Sequence, residues 1–406
     1  MILARPPRIL VSLLALLGSS ILGPAARAQP GDFSVVELPA IPTRMGEFTD
    51  VTPAGIDEQG RVIGFSFFWE EANPHVFSYW VGFRFDPQSG TVVAHDPLNG
   101  LHSSAHMVNE RGMFSGRSDG QKFHRQELFL HTDEGGIDLL RKRSKQWIRR
   151  NFQMHSLASN GYLAGLSFRR TGRQAPLLHL GRRGWIDLAR RHDLPHRNYE
   201  RIQVNRHADY AYQTGLEVYA GANLGPPERI GPDGFDFTLE AIGRSGEVIG
   251  GYERSSLHKF DVGGPKRPFL YTDDQGFRDI LPADLRHGTA RWITKDGTVI
   301  GTATRVRARD TVFRWRDGVS DWVDLRQVLE DAGRDETFRT AKVVDANSSG
   351  AFIAEYKVRP TLPTQCFLSG TDPLFFYFDA RQGLVDLQQS VDAAGLDLKL
   401  LEVVGL

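Results

Sequence analysis

The sequence predicts an all-β protein whose chain folds into seven similar sheets in succession, and three observations lead to this prediction. A ten-residue phrase returns along the chain, as in GIDEQGRVIG (55–64), AIGRSGEVIG (241–250) and WITKDGTVIG (292–301). After each copy comes a second apolar phrase with a turn, such as PFLYTDDQGFRDIL (268–281). Helical periodicity is nearly absent. Two hairpins per repeat give four strands, and seven repeats of about 50 residues predict a seven-bladed β-propeller.

The residue near the middle of the phrase is predicted to lie in the turn of the first hairpin of its repeat. Such turns need a positive backbone φ, which glycine adopts at little cost. Ala208 takes the place of the glycine in the weak fourth copy, QVNRHADYAY (203–212). We expect no helix after any copy, so the phrase is not a nucleotide-binding loop. The turn glycines are Gly60, Gly112, Gly161, Gly246, Gly297 and Gly350, with spacings of 52, 49, 47, 38, 51 and 53 residues once Ala208 is included.

The two ends of the chain predict a closed ring. FSVVELP (33–39) has the pattern of the last strand of a repeat, and the chain finishes with LKLLEVVGL (398–406), where an eighth first strand would begin. A strand from one end that completes a blade begun at the other end would cover the free sheet edges.

Residues 1–28 have the features of a signal peptide. Arg5 and Arg8 precede the apolar run ILVSLLALLGSSILG (9–23), and Ala26-Arg27-Ala28 provides a cleavage signal. We therefore expect a secreted or periplasmic protein whose mature chain, 29–406, is a single propeller domain and a monomer. The only cysteine, Cys366, excludes an intrachain disulfide and is expected to be a small buried residue. No later segment has the 18 apolar residues of a membrane span.

The form of the repeat resembles the HAF family of probable extracellular repeats. In that family a hairpin A-x-x-I-N-x-x-G-x-V-V-G-x-S precedes a hairpin A-F-x-W…G…D-L. The resemblance is strongest at PAGIDEQGRVIGFS (53–66), SAHMVNERGMFSGRS (104–118) and LEAIGRSGEVIGGY (239–252), and it covers nearly the whole mature chain. Asp57 and Arg244 stand where the family favours Asn. The resemblance implies export and a propeller, and it implies no particular reaction.

Positive charge is concentrated in one part of the chain. Residues 141–206 contain 16 Lys and Arg against three acidic residues, a balance of +13 in a chain whose total is zero. A solvated basic surface is one interpretation. The other is a docking zone for an acidic polymer, in which arginines pair with carboxylates or sulfates and aromatic rings stack on sugars. The binding residues predicted on this basis are Trp147, Arg149, Arg150, Arg197, Tyr199 and Arg201.

An enzyme acting on polysaccharide is the alternative. A uronate lyase needs a base, an acid and a group that neutralises the carboxylate, and His196, Arg197 and Tyr199 are residues of the correct types. A glycoside hydrolase needs paired carboxylates, for which Glu70 with Glu71, or Asp233 with Asp236, are candidates. No metal-ligand motif is present, and no cofactor is expected.

The sequence therefore predicts an exported β-propeller that acts as a binding or interaction module without catalysis. An acidic polysaccharide or another polyanion is the expected partner. Nucleic acid fits the same charge pattern but is less compatible with export. Lyase activity stands ahead of hydrolase activity in the alternative.

Overall fold

The computed structural model describes residues 41–43, 46–48, 51–57, 61–70, 77–95, 102–119, 126–132, 136–140, 152–168, 174–194, 198–254, 266–305, 309–323, 338–346, 351–358, 373–379 and 383–387. The predicted signal peptide, both segments of the predicted ring closure, Gly60, Gly350 and Cys366 lie outside these residues. The described residues divide into two compact units, one that ends at Ala208 and one that begins at Asp209.

The first unit opens with a two-stranded sheet and continues with four-stranded antiparallel sheets in which strands adjacent in sequence pair with each other. The small sheet contains β1 (Ile41–Thr43) and β2 (Gly46–Phe48). The next three sheets contain β3 (Val51–Ile56), β4 (Val62–Glu70), β5 (Phe77–Asp86) and β6 (Thr91–His95); β7 (Ser103–Val108), β8 (Phe114–Asp119), β9 (Gln126–Thr132) and β10 (Gly136–Leu139); and β11 (Phe152–Leu157), β12 (Leu163–Phe168), β13 (Gln174–His179) and β14 (Trp185–Asp187).

The chain passes from the first unit to the second in the first turn of the fourth sheet. That sheet contains β15 (Tyr199–Val204), β16 (Tyr210–Thr214), β17 (Glu217–Gly221) and β18 (Glu228–Arg229). The second unit continues with β19 (Phe235–Ile242), β20 (Val248–Arg254), β21 (Arg267–Thr272) and β22 (Gly276–Asp279); β23 (Leu285–Ile293), β24 (Val299–Arg305), β25 (Arg309–Arg316) and β26 (Val319–Val323); and β27 (Phe338–Ala346), β28 (Phe352–Val358), β29 (Pro373–Asp379) and β30 (Gly383–Asp386).

The prediction of an all-β protein is confirmed, and the described residues form seven four-stranded antiparallel sheets in succession. Helix is confined, within these residues, to short segments such as a 3₁₀ turn (Gly181–Arg183) and α1 (Leu188–Arg191). Asp187 caps α1 by accepting a hydrogen bond from the backbone N–H of Arg190 at 3.1 Å. No helix in the described part of the chain is long and apolar enough to cross a membrane.

The first hairpins turn where the sequence predicts. Gly112, Gly161, Gly246 and Gly297 have φ values of 74°, 82°, 93° and 82°. Ala208 adopts a φ of 67° at the corresponding place in the fourth sheet, despite its Cβ. The turn itself forms there without glycine, because the backbone N–H of Ala208 donates to the carbonyl of Asn205 as the N–H of Gly112 does to that of Asn109.

The glycine that ends the repeated phrase has a separate function, which sequence reasoning missed. Gly116, Gly165, Gly250 and Gly301 each pair with the residue that immediately precedes a β-bulge in the first strand. A Cβ at any of them would overlap a carbonyl oxygen of that first strand, which for Gly250 belongs to Thr238. The glycine therefore leaves room for the bulged backbone to approach the second strand.

An aromatic ring from a neighbouring strand covers this glycine. A Cβ at Gly116 would also meet the ring of Phe129, one at Gly250 that of Phe269, and one at Gly301 that of Phe313. Phe269 and Phe313 are completely buried, and Phe129 is 2% exposed. In the second unit Phe269 belongs to a core cluster with Phe237, Leu239 and Val248. The bulge and the apolar core are thus built against the same glycine.

Replacing Gly250 by Ala is expected to destabilise the protein by about 3 kcal/mol or more, because backbone atoms of β19 and the ring of Phe269 cannot both move aside. Gly276→Ala is the matched control. Gly276 has a φ of 68°, and a Cβ added there would have no atom within 4 Å, so the change should cost about 1 kcal/mol through backbone strain alone. Chemical denaturation of both variants tests this; equal losses of stability would contradict the proposed contact at Gly250.

Candidate functional site

Each of six first strands has one bulge residue at the same place in the repeat, ten residues before the last residue of the repeated phrase. The register shifts identify these bulge residues, and a bulge takes a side chain out of the ordinary alternation and re-aims it. Four of the six side chains are ionisable, and the other two are apolar. The bulge residues are Ala54, His106 and His155 in the first unit and Glu240, Arg291 and Val344 in the second; Ile202 has the corresponding sequence position in the fourth sheet.

His106, on β7, is the exposed residue among the six bulge residues. The Oγ of Ser104 lies 2.7 Å from its Nε2 and holds the ring in place. Desolvation by the surrounding protein, followed by the charge of Arg117, lowers the pKa of His106 to about 4. Arg117 is anchored by a hydrogen bond from its Nη2 to the carbonyl oxygen of Phe152 in the next sheet. The imidazole is therefore neutral at neutral pH.

His155, the bulge residue of β11, is half-buried and has a fixed tautomer. Its Nδ1 accepts a hydrogen bond from the backbone N–H of Ile202 at 3.2 Å, so the neutral ring carries its proton on Nε2. Burial, with the positive charge of Arg201, lowers the pKa of His155 to about 4. The neutral ring therefore offers its Nε2–H as a hydrogen-bond donor, and it does not need a second proton to do so.

Two bulge residues of the second unit carry opposite charges. Nη1 of Arg291 lies 3.0 Å from Oε1 of Glu240, so the bulges of β19 and β23 are joined by an ion pair. The Glu240 side chain is 13% exposed and that of Arg291 is 40% exposed. Val344, on β27, is half-buried and carries no charge. Two bulge residues of the second unit thus neutralise each other, whereas each of the two bulge imidazoles of the first unit is subject to the positive charge of an arginine.

Side chains in the first-hairpin turns connect successive repeats. Nδ2 of Asn109 donates to the carbonyl of Ala158 at 2.7 Å, and its Oδ1 accepts from the N–H groups of Arg111 and Met113. Nδ2 of Asn160 donates to the carbonyl of Arg206 at 2.8 Å. These bonds span 49 and 46 residues of sequence, so they fix the position of each turn relative to the next and with it the register of the adjoining bulge.

Of the residues predicted to bind an acidic polymer, Tyr199 and Arg201 lie within the described structure. Arg201 is half-buried on β15, where its positive charge acts on His155, and its role in binding stays a prediction. Tyr199 is 2% exposed, which leaves its ring no surface for stacking on a sugar. Its burial follows from its place at the start of β15, where it faces the core. Trp147, Arg149, Arg150, His196 and Arg197 lie outside the described residues, and their roles stay predictions.

The structure adds little about the carboxylates predicted for a glycoside hydrolase. Asp233 is exposed and forms an ion pair with Arg229, Glu71 lies outside the described residues, and nothing is described of the side chain of Glu70. The described residues contain no group of three or more His, Cys, Asp or Glu that could hold a metal ion. His106 and His155 are recognisable from the sequence as histidines in first hairpins, but their shared place with Glu240 and Arg291 was not predicted. The signal is a combination of an ionisable residue three positions before the residue that begins the turn and a glycine four positions after the turn glycine.

Buried histidines predict an acid-sensitive fold. Burial, then the charges of His131 and Arg84, lowers the pKa of His95 to about 3. Its ring packs 4.8 Å from the rings of Phe114 and His131. Between about pH 6.5 and the lowered pKa the unfolded chain binds a proton that the folded chain does not, so stability should fall as the pH falls through this window and be fully present above it.

His95→Phe, which cannot be protonated, should reduce the slope of unfolding free energy against pH by up to about 1.4 kcal/mol per pH unit in this window. Urea denaturation between pH 7.5 and pH 4 measures the slope. The control is His207→Phe at an exposed position of the same unit. A His95→Phe slope equal to that of the parent would show that His95 does not contribute to acid sensitivity.

No family model matches the chain, and no curated protein matches it. Similar solved structures include the β-propeller domain of the Trilobed protease from Pyrococcus furiosus, at 10% identity over 84% of this chain and 98% of that chain, with a TM-score of 0.46. Porphyromonas gingivalis dipeptidyl peptidase 4 is similar at 13% identity and a TM-score of 0.49, over 89% of this chain and 56% of that chain. With such identities and TM-scores below 0.5, these similarities carry no conclusion about activity.

Proposed function

We propose that the seven sheets are the blades of a β-propeller and that the protein is a binding module without catalytic activity. The observation that supports this most is the succession of seven antiparallel four-stranded sheets, six of which have a bulge at the same register of their first strand. In a propeller the blades surround a central channel. With the first strand of each blade nearest the axis, the bulge residues would face that channel and meet a ligand there.

The proposal includes export and ring closure, and it keeps the resemblance to the HAF repeats. The basis for export is the signal peptide in residues 1–28, and the basis for closure is the strand pattern of residues 33–39. A protein of this kind would act outside the cytoplasm as a mature monomer of residues 29–406.

Both ends of the chain can be tested together. Expression of the full sequence should give an exported protein that begins at Gln29, as N-terminal sequencing would show. Deletion of residues 33–39 from this mature chain should unpair a blade edge and promote aggregation or proteolysis. A deletion variant with the thermal stability and protease resistance of the parent would contradict closure by this segment.

An acidic polymer is the proposed ligand. The arginine-rich part of the chain, 141–206, has a balance of +13. Within it the positive charge of Arg201 acts on a bulge residue, His155. Guanidinium groups bind carboxylates and sulfates by paired hydrogen bonds, and the polymer would be an acidic polysaccharide in the setting of an exported protein.

Simultaneous replacement of Arg149, Arg150, Arg197 and Arg201 by Ser is expected to abolish binding of a polyanion such as polygalacturonate, with little effect on folding. Binding of the parent should weaken steeply with salt, since screening acts over about 8 Å at physiological ionic strength. Isothermal titration at several salt concentrations measures both effects.

The control removes the same charge from the same part of the chain by replacing Arg182, Arg183, Arg190 and Arg191, all exposed, by Ser. Equal losses of affinity in both variants would reduce the effect to net charge and contradict a defined docking zone. Release of unsaturated sugar ends that absorb in the ultraviolet, lost in His196→Ala, would instead favour the lyase alternative.

A further inference from the structure

We propose that His106 and His155, the bulge residues of β7 and β11, form a subsite for a carboxylate or sulfate group in the first unit. The inference names the place at which the proposed polymer is held, so the identity of the polymer rests on the proposed function. The subsite itself rests on the position, charge and hydrogen bonding of these residues.

Position is the first argument. The two histidines occupy the same register of the first strands of consecutive sheets, and β7 and β11 lie in contact. A bulge re-aims its residue without breaking the rest of the strand, and natural proteins place bulges next to functional sites. The glycines Gly116 and Gly165 keep these bulges in place, because a Cβ at either position would overlap the first strand. Two imidazoles are thus held at equivalent points of a rigid framework.

Charge is the second argument. Each imidazole has an arginine near enough to act on it electrostatically, Arg117 for His106 and Arg201 for His155. Arg117 is fixed by its hydrogen bond to the carbonyl of Phe152, so its position does not depend on a ligand. Both arginines are half-buried, where an anion interacts with them more strongly than it would in bulk water. Each bulge histidine therefore has an arginine whose positive charge would attract an anion.

The hydrogen bonding of His155 distinguishes an anion from a cation as the ligand. Because Nδ1 of His155 accepts the N–H of Ile202, the neutral ring presents Nε2–H, which can donate to an oxyanion. A metal ion would need a nitrogen lone pair in that place. Ser104 and the exposed Gln153, each two residues before a bulge histidine, add further polar groups on the same strands. The chemistry at this place suits carboxylate or sulfate oxygens.

The decisive experiment uses a matched pair of variants at His155. Gln at this position can accept the N–H of Ile202 through its Oε1 and still donate through its Nε2, so His155→Gln should bind the polymer within about threefold of the parent. Glu has nearly the same shape and also accepts that N–H, but it presents a negative oxygen instead of a donor. His155→Glu should therefore weaken binding by about a hundredfold.

Titration of the mature protein with polygalacturonate and with dextran sulfate separates the possible ligands. A loss of affinity in His155→Glu for polygalacturonate alone assigns the subsite to carboxylates, and a loss for dextran sulfate alone assigns it to sulfates. His106→Ala combined with His155→Gln should weaken binding about tenfold relative to His155→Gln. The control is His192→Ala with His207→Ala, which removes two imidazoles of the same unit away from the bulges.

Two outcomes would overturn proposals separately. If the parent binds neither polymer, the proposed polyanion-binding function is wrong. If the parent binds and His155→Glu binds equally well, with an unchanged circular dichroism spectrum and melting temperature, the polymer docks elsewhere and only the subsite is wrong. A loss of affinity as large in the control variant as in the His106 variant would also contradict the subsite.

Discussion

The close approach of the first strand to a glycine of the second strand is the contact on which the structure of four of the sheets depends. At Gly116, Gly165, Gly250 and Gly301 the carbonyl of the first strand occupies the space of a Cβ, and the strand bulges beside it. Aromatic rings of the core pack against the same glycines. One missing side chain therefore permits a bulge, a strand pairing and an apolar contact in each of these four sheets.

Within one strand, the bulge residue is free of the requirement to pack in the core that its neighbours meet. The residues that precede it keep the alternation that buries apolar side chains, as Leu239 at 1% exposure and Val343 at 0% show. The extra residue is released from this alternation, so an ionisable side chain can occupy it at no cost to the core. Four of the six bulges use this freedom, whereas Ala54 and Val344 keep apolar side chains there. The chemistry of the bulge residues therefore varies from sheet to sheet, while the strands around them keep the same arrangement.

Charge is distributed differently in the bulges of the two units. Glu240 and Arg291 neutralise each other at 3.0 Å, and this compensation reduces the attraction for an outside charge. His106 and His155 are instead neutral rings, since desolvation by the surrounding protein and the charges of Arg117 and Arg201 lower their pKa values to about 4. An anion that approaches the first unit meets donors and positive charge together.

The sequence by itself determined the repeat, the strand content and the turns. A positive φ at Gly112, Gly161, Gly246 and Gly297 follows from local chemistry, because only a residue without a Cβ adopts it cheaply. Only the tertiary structure decided the function of the glycine that ends the repeated phrase. That glycine contacts a neighbouring strand, and no local pattern specifies the register of that strand. The same holds for Tyr199. Its place in a basic segment predicted an exposed ring, whereas packing in the folded protein leaves it 2% exposed. Burial and bulge register depend on which strands become neighbours, and that information exists only once the chain has folded.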